Sequence, residues 1–190
     1  MPSPSCSPRL NAPTPDLLAR LAAIVGPGNA VTDPAGQAPY LVEWRDKYIG
    51  RTPMVLRPGS TTEVSAILAL ADEARVGIVP QGGNTGLVGG QIPVETGTEI
   101  VISLTRMSRL RAIDAAATSM TVEAGMTLAA AQEVAAKAGR LFPLSLASEG
   151  SCQIGGNLAT NAGGIAVLSY GNARAQVLGL EVVLADGSVW

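Results

Sequence analysis

Apolar positions recur at helical spacing in three stretches of the chain, with short unbroken apolar runs between them. In the first stretch Leu17, Leu18, Leu21 and Ile24 fall on one face. Thr14 stands where a cap side chain accepts a free N–H, Pro15 and Asp16 follow, and Gly26-Pro27 ends the pattern, so a helix is predicted from Pro15 onward. In the second, Ser60-Thr61-Thr62-Glu63 forms a capping box ahead of Val64, Ile67, Leu68 and Ala71, with the end near Gly77. In the third, Thr127 caps a helix through Ala138 whose buried face is Leu128, Ala131, Val134 and Ala135, and Gly139 stops it.

The apolar runs read as strands. Met54-Val55-Leu56 and Ile78-Val79 flank the second helix, which makes a βαβ unit and implies parallel strands. Glu99 to Leu104 is a further strand. Leu110–Asp114 and Met120–Ala124 pair as a hairpin. Val182–Ala185, an Asp186-Gly187 turn and a return strand reaching Trp190 come last. A natural domain rarely ends within a hairpin, so the expectation is a fragment of a longer protein, truncated at its C-terminus. Met1 to Pro13 is rich in Pro and Ser and reads as a disordered tail. From Gly28 to Arg51 the pattern is irregular. Tyr40, Trp44 and Tyr48 recur every four residues, predicting a helical turn with aromatics on one side. Glu43, Arg45, Asp46 and Lys47 lie among them, and the favoured reading is an amphipathic segment with a solvated charged face. The sharper reading is a lid or ligand edge.

The strand Ile78-Val79 runs into Gln81-Gly82-Gly83-Asn84-Thr85-Gly86-Leu87-Val88-Gly89-Gly90, which has five glycines within nine residues and no charge between Arg75 and Glu95. Glycine lets a backbone approach a ligand closely, and successive backbone N–H groups can form an anion site without lysine. The βαβ reading puts this loop at the carboxyl end of a parallel strand, where open α/β sheets bind ligands. It is not a P-loop, because no Gly-Lys-Ser/Thr follows at the required spacing. It is not a Rossmann fingerprint either, because no Gly-x-Gly-x-x-Gly opens a helix. A second segment, Ser148 to Gly164, has glycine pairs eight residues apart with amides and small residues between them. It suits a backbone running beside a flat ligand, or equally a tightly packed turn-rich core segment. Two such loops flanked by apolar strands favour a large cofactor.

Composition narrows the remaining classes. The 190 residues suit one domain, with room for two lobes, and a chain of this length buries roughly 70% of its unfolded surface. Apolar residues make up 47% and aromatics 3%, so the core is built of Ala, Val, Leu and Ile. A net charge of −2 provides no basic face for nucleic acid. Cys6 and Cys152 are too far apart in sequence to form a disulfide framework. There is no histidine, which excludes a histidine base, a His-ligated metal and His-linked flavin within these residues. The longest charge-free run, residues 150–173, carries six glycines and is too polar to cross a bilayer. Without a secretory or Arg-rich leader pattern, a cytoplasmic location is expected.

Pro80-Gln81-Gly82-Gly83-Asn84-Thr85-Gly86-Leu87, then Gly150-Ser151-Cys152-Gln153-Ile154-Gly155-Gly156-Asn157, then Asn161-Ala162-Gly163-Gly164, resemble the FAD-binding domain of the vanillyl-alcohol oxidase (PCMH) type. Within that superfamily the chain is most similar to D-2-hydroxyglutarate and D-lactate dehydrogenases, and Val177 to Gly187 shares the likeness. The resemblance implies an α+β fold of two lobes, about 14–93 and 94–190, with mixed parallel and antiparallel sheets, flanking helices and noncovalent FAD between the lobes. It implies that Gly82, Gly83, Asn84, Thr85, Gly86 and Leu87 hold the pyrophosphate. Ser148, Gly150, Gly155, Gly156, Asn157, Thr160, Asn161 and Gly163 would line the flavin and ribityl side, with Pro143 near the ring. The implied reaction passes hydride from the α-carbon of a D-2-hydroxy acid to the flavin and electrons on to another acceptor. The acid/base group, the substrate-binding residues and any metal site of such proteins belong to a C-terminal part absent here. The competing expectation is an FAD-binding or electron-transfer module without catalysis of its own. Ala166 and Ser169 stand where many similar proteins carry Arg, and Cys152 is expected to be a small buried residue rather than a flavin link.

Overall fold

The computed structural model describes residues 10–190; most of the expected disordered tail, residues 1–9, lies outside them, as does Cys6. A four-stranded sheet organises the first part of the chain. Its strands are β1 (Ala30–Val31), β2 (Val55–Leu56), β3 (Gly77–Gln81) and β4 (Glu99–Ser103), in spatial order β1-β2-β4-β3. β2 and β3 both run parallel to β4, and β1 is antiparallel to β2. The βαβ prediction therefore has the right direction, but β4 inserts between the two strands it joins. It also places β4, assigned from sequence to the second lobe, at the centre of the first sheet.

Strand alternation divides the core. Leu56, Ile100 and Ile102 face α1 (Pro15–Val25) and α3 (Thr61–Ala74), and pack with Leu17, Leu21, Val25 and Ile67. Val55, Val79 and Val101 face the other way, under Val31 and Tyr40. The predicted caps form: Thr14 Oγ1 accepts from Leu17 N, Ser60 Oγ from Glu63 N, and Glu63 reaches back to Gly59 N. α3 ends at Ala74 rather than near Gly77, because Arg75 turns left-handed at φ 56° and starts the descent into β3.

The sequence pattern does not anticipate the helix after β1. Asp33 caps α2 (Pro34–Leu41), with Pro34 at its start and Pro39 inside it. The Asp-Pro start is a legible signal; the internal proline hid it. The expected aromatic stripe does not form, because α2 stops at Leu41 and residues 43–46 make a turn with Asp46 at φ 56°. Tyr40 is half-buried on the sheet, whereas Trp44 is 82% exposed.

The second part begins with the antiparallel hairpin β5 (Leu110–Asp114) and β6 (Ser119–Val122), with a register shift between Leu110 and Ala112. α4 (Leu128–Lys137) follows its Thr127 cap as expected. Leu128, Leu144, Cys152 and Ala173 form a second small core. The glycine-rich segment expected to run beside a ligand contains α5 (Ile154–Ala159), and α6 (Val167–Tyr170) and a 3-10 turn (Ala173–Gln176) follow. The closing turn pairs Val182 with Trp190 through two backbone hydrogen bonds of 2.8 Å, as the Asp-Gly signal predicts.

A charged knot ties the hairpin to α3 and to the last segment. The buried Glu123 carboxylate accepts from Arg109 N and from the Arg109 guanidinium, with Arg111 3.6 Å away. Arg111 also pairs with Glu181 at 3.0 Å, and Thr61 Oγ1 donates to the same carboxylate. The hydrogen bonds from the Arg109 side chain hold Glu123 below the ordinary carboxylate range, against the opposing effect of burial. A carboxyl that gives up its proton more readily when folded stabilises the fold fully above the unfolded value near 4.5 and loses that contribution as pH falls below it. Urea unfolding across pH should therefore show wild type above Glu123→Gln at neutral pH and the gap closing in acid. A gap independent of pH would contradict this.

Candidate functional site

The glycine loop leaves the carboxyl end of β3 at Gln81, whose side chain is 1% exposed. Side-chain amides set the shape of the loop. Gln81 Nε2 donates to the carbonyls of Tyr40 and Gln91, both at 2.9 Å. Asn84, left-handed at φ 52°, donates through Nδ2 to the carbonyls of Pro39 and Val42. Gln91 Nε2 donates to Asn84 Oδ1 and to the Gly86 carbonyl. Arg45 adds a guanidinium bond to the Leu87 carbonyl, and the Tyr48 ring covers Gly89. The segment 39–50 is thus a collar around the loop, with Glu43 buried and residues 44–49 exposed.

Within the collar Glu43 is 1% exposed. Burial disfavours its charge, but the N–H groups of Arg45 and Lys47, each 2.9 Å away, and the Arg45 guanidinium 3.6 Å away outweigh it and lower its pKa.

Four of the loop's carbonyls, those of Gly86, Leu87, Gly89 and Gln91, are engaged, while its amides are not. Among the described residues no backbone N–H from Gly82 to Gln91 donates to a protein acceptor. In a trans peptide the C=O of one residue points opposite to the N–H of the next. Gly86 O on Gln91 therefore turns the Leu87 N–H away, and Leu87 O on Arg45 does the same for Val88. Leu87 and Val88 are 48% and 77% exposed. Residues 82–86 are half-buried, and a row of N–H groups without protein partners suits an anion.

The second segment meets the first at backbone. A Cβ on Gly83 would lie 1.8 Å from the Ser151 carbonyl oxygen, and one on Gly82 would lie 3.2 Å from Gln153 Oε1. α4 holds Ser151 in place: Leu128 N donates to Cys152 O, Ala129 N to Glu149 O, and Thr127 bridges to Gln153. Ser148 accepts from both Ser151 N and Cys152 N at 2.8 Å. Gly150 and Gly156 face open space, whereas Gly155 packs on Ala124 and Gly163 lies near Asn172. Pro143 sits on an irregular run beside buried Leu144.

Several side chains expected at the flavin are occupied within the chain. Asn157 is buried, with Nδ2 on Cys152 Sγ; Thr160 Oγ1 donates to the Gly156 carbonyl; Asn161 Oδ1 accepts from Arg174 N. Sequence reasoning missed Gln81, Gln91, Glu43 and Arg45, although the amides at both ends of an uncharged glycine loop were a visible signal. Gln153 was also missed: its Oε1 is buried at the joint of the two loops with no partner. A cavity of about 1220 Å³ lies between α3, the hairpin and residues 178–185; it includes Gly155 and Asn157 but nothing from Gly82 to Gly90.

The free amides, the Gly83–Ser151 contact and the open glycines fit a dinucleotide cofactor whose diphosphate rests on backbone. Comparison with known proteins agrees. The chain is 44% identical over 174 residues to the mitochondrial D-2-hydroxyglutarate dehydrogenase of Bos taurus, covering 92% of this chain and 31% of that protein. It is 42% identical over 158 residues to a putative mitochondrial D-lactate dehydrogenase of Schizosaccharomyces pombe, covering 83% and 30%. The chain thus spans about a third of these relatives' length. Among solved structures, an alkyldihydroxyacetonephosphate synthase matches with a TM-score of 0.83 at 21% identity, over 93% of this chain and 34% of that one. The 6-hydroxy-D-nicotine oxidase of Arthrobacter nicotinovorans matches with a TM-score of 0.73 at 22% identity, over 88% and 36%. These likenesses show the fold, and a family model described as FAD binding domain matches residues 52–190. The chain belongs to the FAD binding domain family, with the two-lobed α+β fold of the PCMH type.

Proposed function

We propose that this chain is the cofactor-holding part of an FAD-dependent dehydrogenase acting on a D-2-hydroxy acid of the 2-hydroxyglutarate or lactate type. The observation that carries the reading is the row of N–H groups along Gly82–Gln91 without a protein acceptor, two of them turned by the hold of Gln91 on the Gly86 carbonyl and of Arg45 on the Leu87 carbonyl. In this proposal residues 82–87 hold the diphosphate. Ser148, Gly150, Gly155, Gly156, Asn157, Thr160, Asn161 and Gly163 shape the flavin side, and Pro143 lies toward the ring. The binding is noncovalent, because the buried Cys152 thiol sits in the second core with Asn157 on its sulfur. Bound FAD supplies the hydride acceptor. Orientation is the contribution of this chain's residues: α4 fixes the second segment, and the amides of Gln81, Asn84 and Gln91 fix the first.

The substrate and the onward electron acceptor are proposed to engage a further part of the protein. The 40–44% identity to dehydrogenases of D-2-hydroxyglutarate and D-lactate supports the hydroxy-acid class. The lobe division is proposed to follow the sheet, with β4 in the first lobe. No helix of the described residues is long and apolar enough to cross a membrane. A cytoplasmic location remains part of the proposal, against relatives several of which are named mitochondrial. The alternative of a binding module without catalysis applies to this chain taken alone, because its site offers anion-binding amides and no free acid/base pair.

The full-length protein should purify yellow, and the flavin should bleach on anaerobic addition of a D-2-hydroxy acid but not its L-enantiomer. A colourless protein that FAD cannot reconstitute would refute the reading. FAD added to the chain should also raise its urea unfolding midpoint.

Two glycines separate fold from ligand. Gly83→Ala puts a Cβ on the Ser151 carbonyl and should cost about 1–3 kcal/mol of stability without FAD, as overpacking does. Gly156→Ala meets nothing within 4 Å, so the FAD-free protein should be no less stable. If the flavin occupies that space, FAD affinity should still fall. Urea unfolding and flavin fluorescence titration measure the two effects.

A further inference from the structure

Arg45 and Glu43 lie outside the residues that the family likeness assigns to the cofactor, yet they reach the loop where its geometry matters most. Glu43 is fully buried as a side chain, and burying a carboxylate is costly unless every lone pair finds a donor. Here two backbone N–H groups donate to it, and Arg45 Nε lies 3.6 Å away as an ion pair. The carboxylate thereby folds residues 43–47 into a tight turn, assisted by the bond from Asp46 N to the Glu43 carbonyl. Arg45 leaves that turn with its side chain 35% exposed and its guanidinium on the Leu87 carbonyl.

We propose that Arg45, anchored by Glu43, is a positioning residue that fixes the Leu87–Val88 peptide so that the Val88 N–H faces the cofactor's diphosphate. The inference rests on the FAD-holding role proposed above. Three observations converge on it. The trans peptide makes the direction of the Val88 N–H a consequence of where Leu87 O is held. Among the described residues nothing else holds that carbonyl, whereas the preceding one, Gly86 O, is held by Gln91. The stretch from Val76 to Val94 has no charge of its own, and Arg45 arrives already paired with Glu43. The pair adds almost no net charge to the site. Its contribution is therefore the orientation of a peptide dipole rather than Coulombic attraction to phosphate.

The test compares Arg45→Met with Arg45→Gln in the full-length protein. Both remove the guanidinium and leave Glu43 without its ion pair, so the effect on Glu43 is common to the two. Only Gln keeps an N–H donor for Leu87 O. FAD and riboflavin, which has no phosphate, are titrated by flavin fluorescence, and urea unfolding checks the fold. Arg45→Met should weaken FAD binding about tenfold, the scale of a lost charge-assisted hydrogen bond, and leave riboflavin binding unchanged. Arg45→Gln should recover most of that loss. Unchanged FAD affinity in Arg45→Met overturns the inference, as does equal weakening of FAD and riboflavin. Arg45→Gln binding FAD as poorly as Arg45→Met overturns it too, because charge rather than carbonyl orientation would then be at work. A wild-type protein that binds no FAD overturns the proposed function itself, before any variant is compared.

Discussion

The Ser151 carbonyl oxygen occupies the place where a side chain at residue 83 would begin, 1.8 Å from an ideal Cβ. Two chain segments separated by 68 residues touch there backbone to backbone, and most of the site geometry depends on that contact. It requires glycine for lack of space rather than for an unusual φ, since Gly83 is not among the positive-φ glycines. On one side β3 delivers the loop from the carboxyl edge of a buried parallel sheet. On the other, α4 pins Glu149 and Cys152 through its first N–H groups, which need acceptors in any case. The close approach is thus held from both ends by regular structure. A loop contact supported only by loops would be free to drift, and the spacing of the free amides would drift with it.

Much of the fold was legible because its signals were local. Thr14, Ser60 and Thr127 are caps whose partners lie three residues on, and all three form. The Asp-Gly turn near the end and the hairpin at β5–β6 are local too. What stayed hidden depends on contacts between distant residues. Nothing near residue 99 states that its strand will slide between two others, because a run of Ile and Val reads the same at an edge or a centre. The same limit explains the aromatic stripe. Tyr40, Trp44 and Tyr48 have helical spacing, but the buried Glu43 carboxylate rewards a turn at residues 43–47 more than a continued helix.

The site was legible in a different proportion. Glycine content marked the two loops, and an unbroken absence of charge marked the first of them. The residues that shape the loops were not marked, because glutamine and asparagine read as polar filler in a sequence. In the structure Gln81, Asn84 and Gln91 are the fasteners. Each is a neutral amide whose NH2 reaches two acceptors, so three residues hold six oxygens without bringing charge. Conversely, Asn157 and Asn161 sit in the motif that resembles a flavin-binding segment, yet their side chains serve the second segment's own turns. Motif membership points to a segment without telling which atoms in it are free.

An amide-lined anion site places a demand on the other half of every peptide. Each N–H turned toward a ligand sends the preceding carbonyl the opposite way, where it needs a donor or water. In this chain Gln91 meets that demand at the Gly86 carbonyl, Arg45 at Leu87, Ile92 N at Gly89 and Gln81 at Gln91, which ties the collar of residues 39–50 and the loop's own amides to the loop's shape. A lysine reaching a phosphate directly would bring a mobile charge and leave the carbonyls to solvent. The arrangement here fixes direction instead. If the loop holds the diphosphate as proposed, a row of dipoles with little net charge discriminates by the shape and spacing of the bound oxygens.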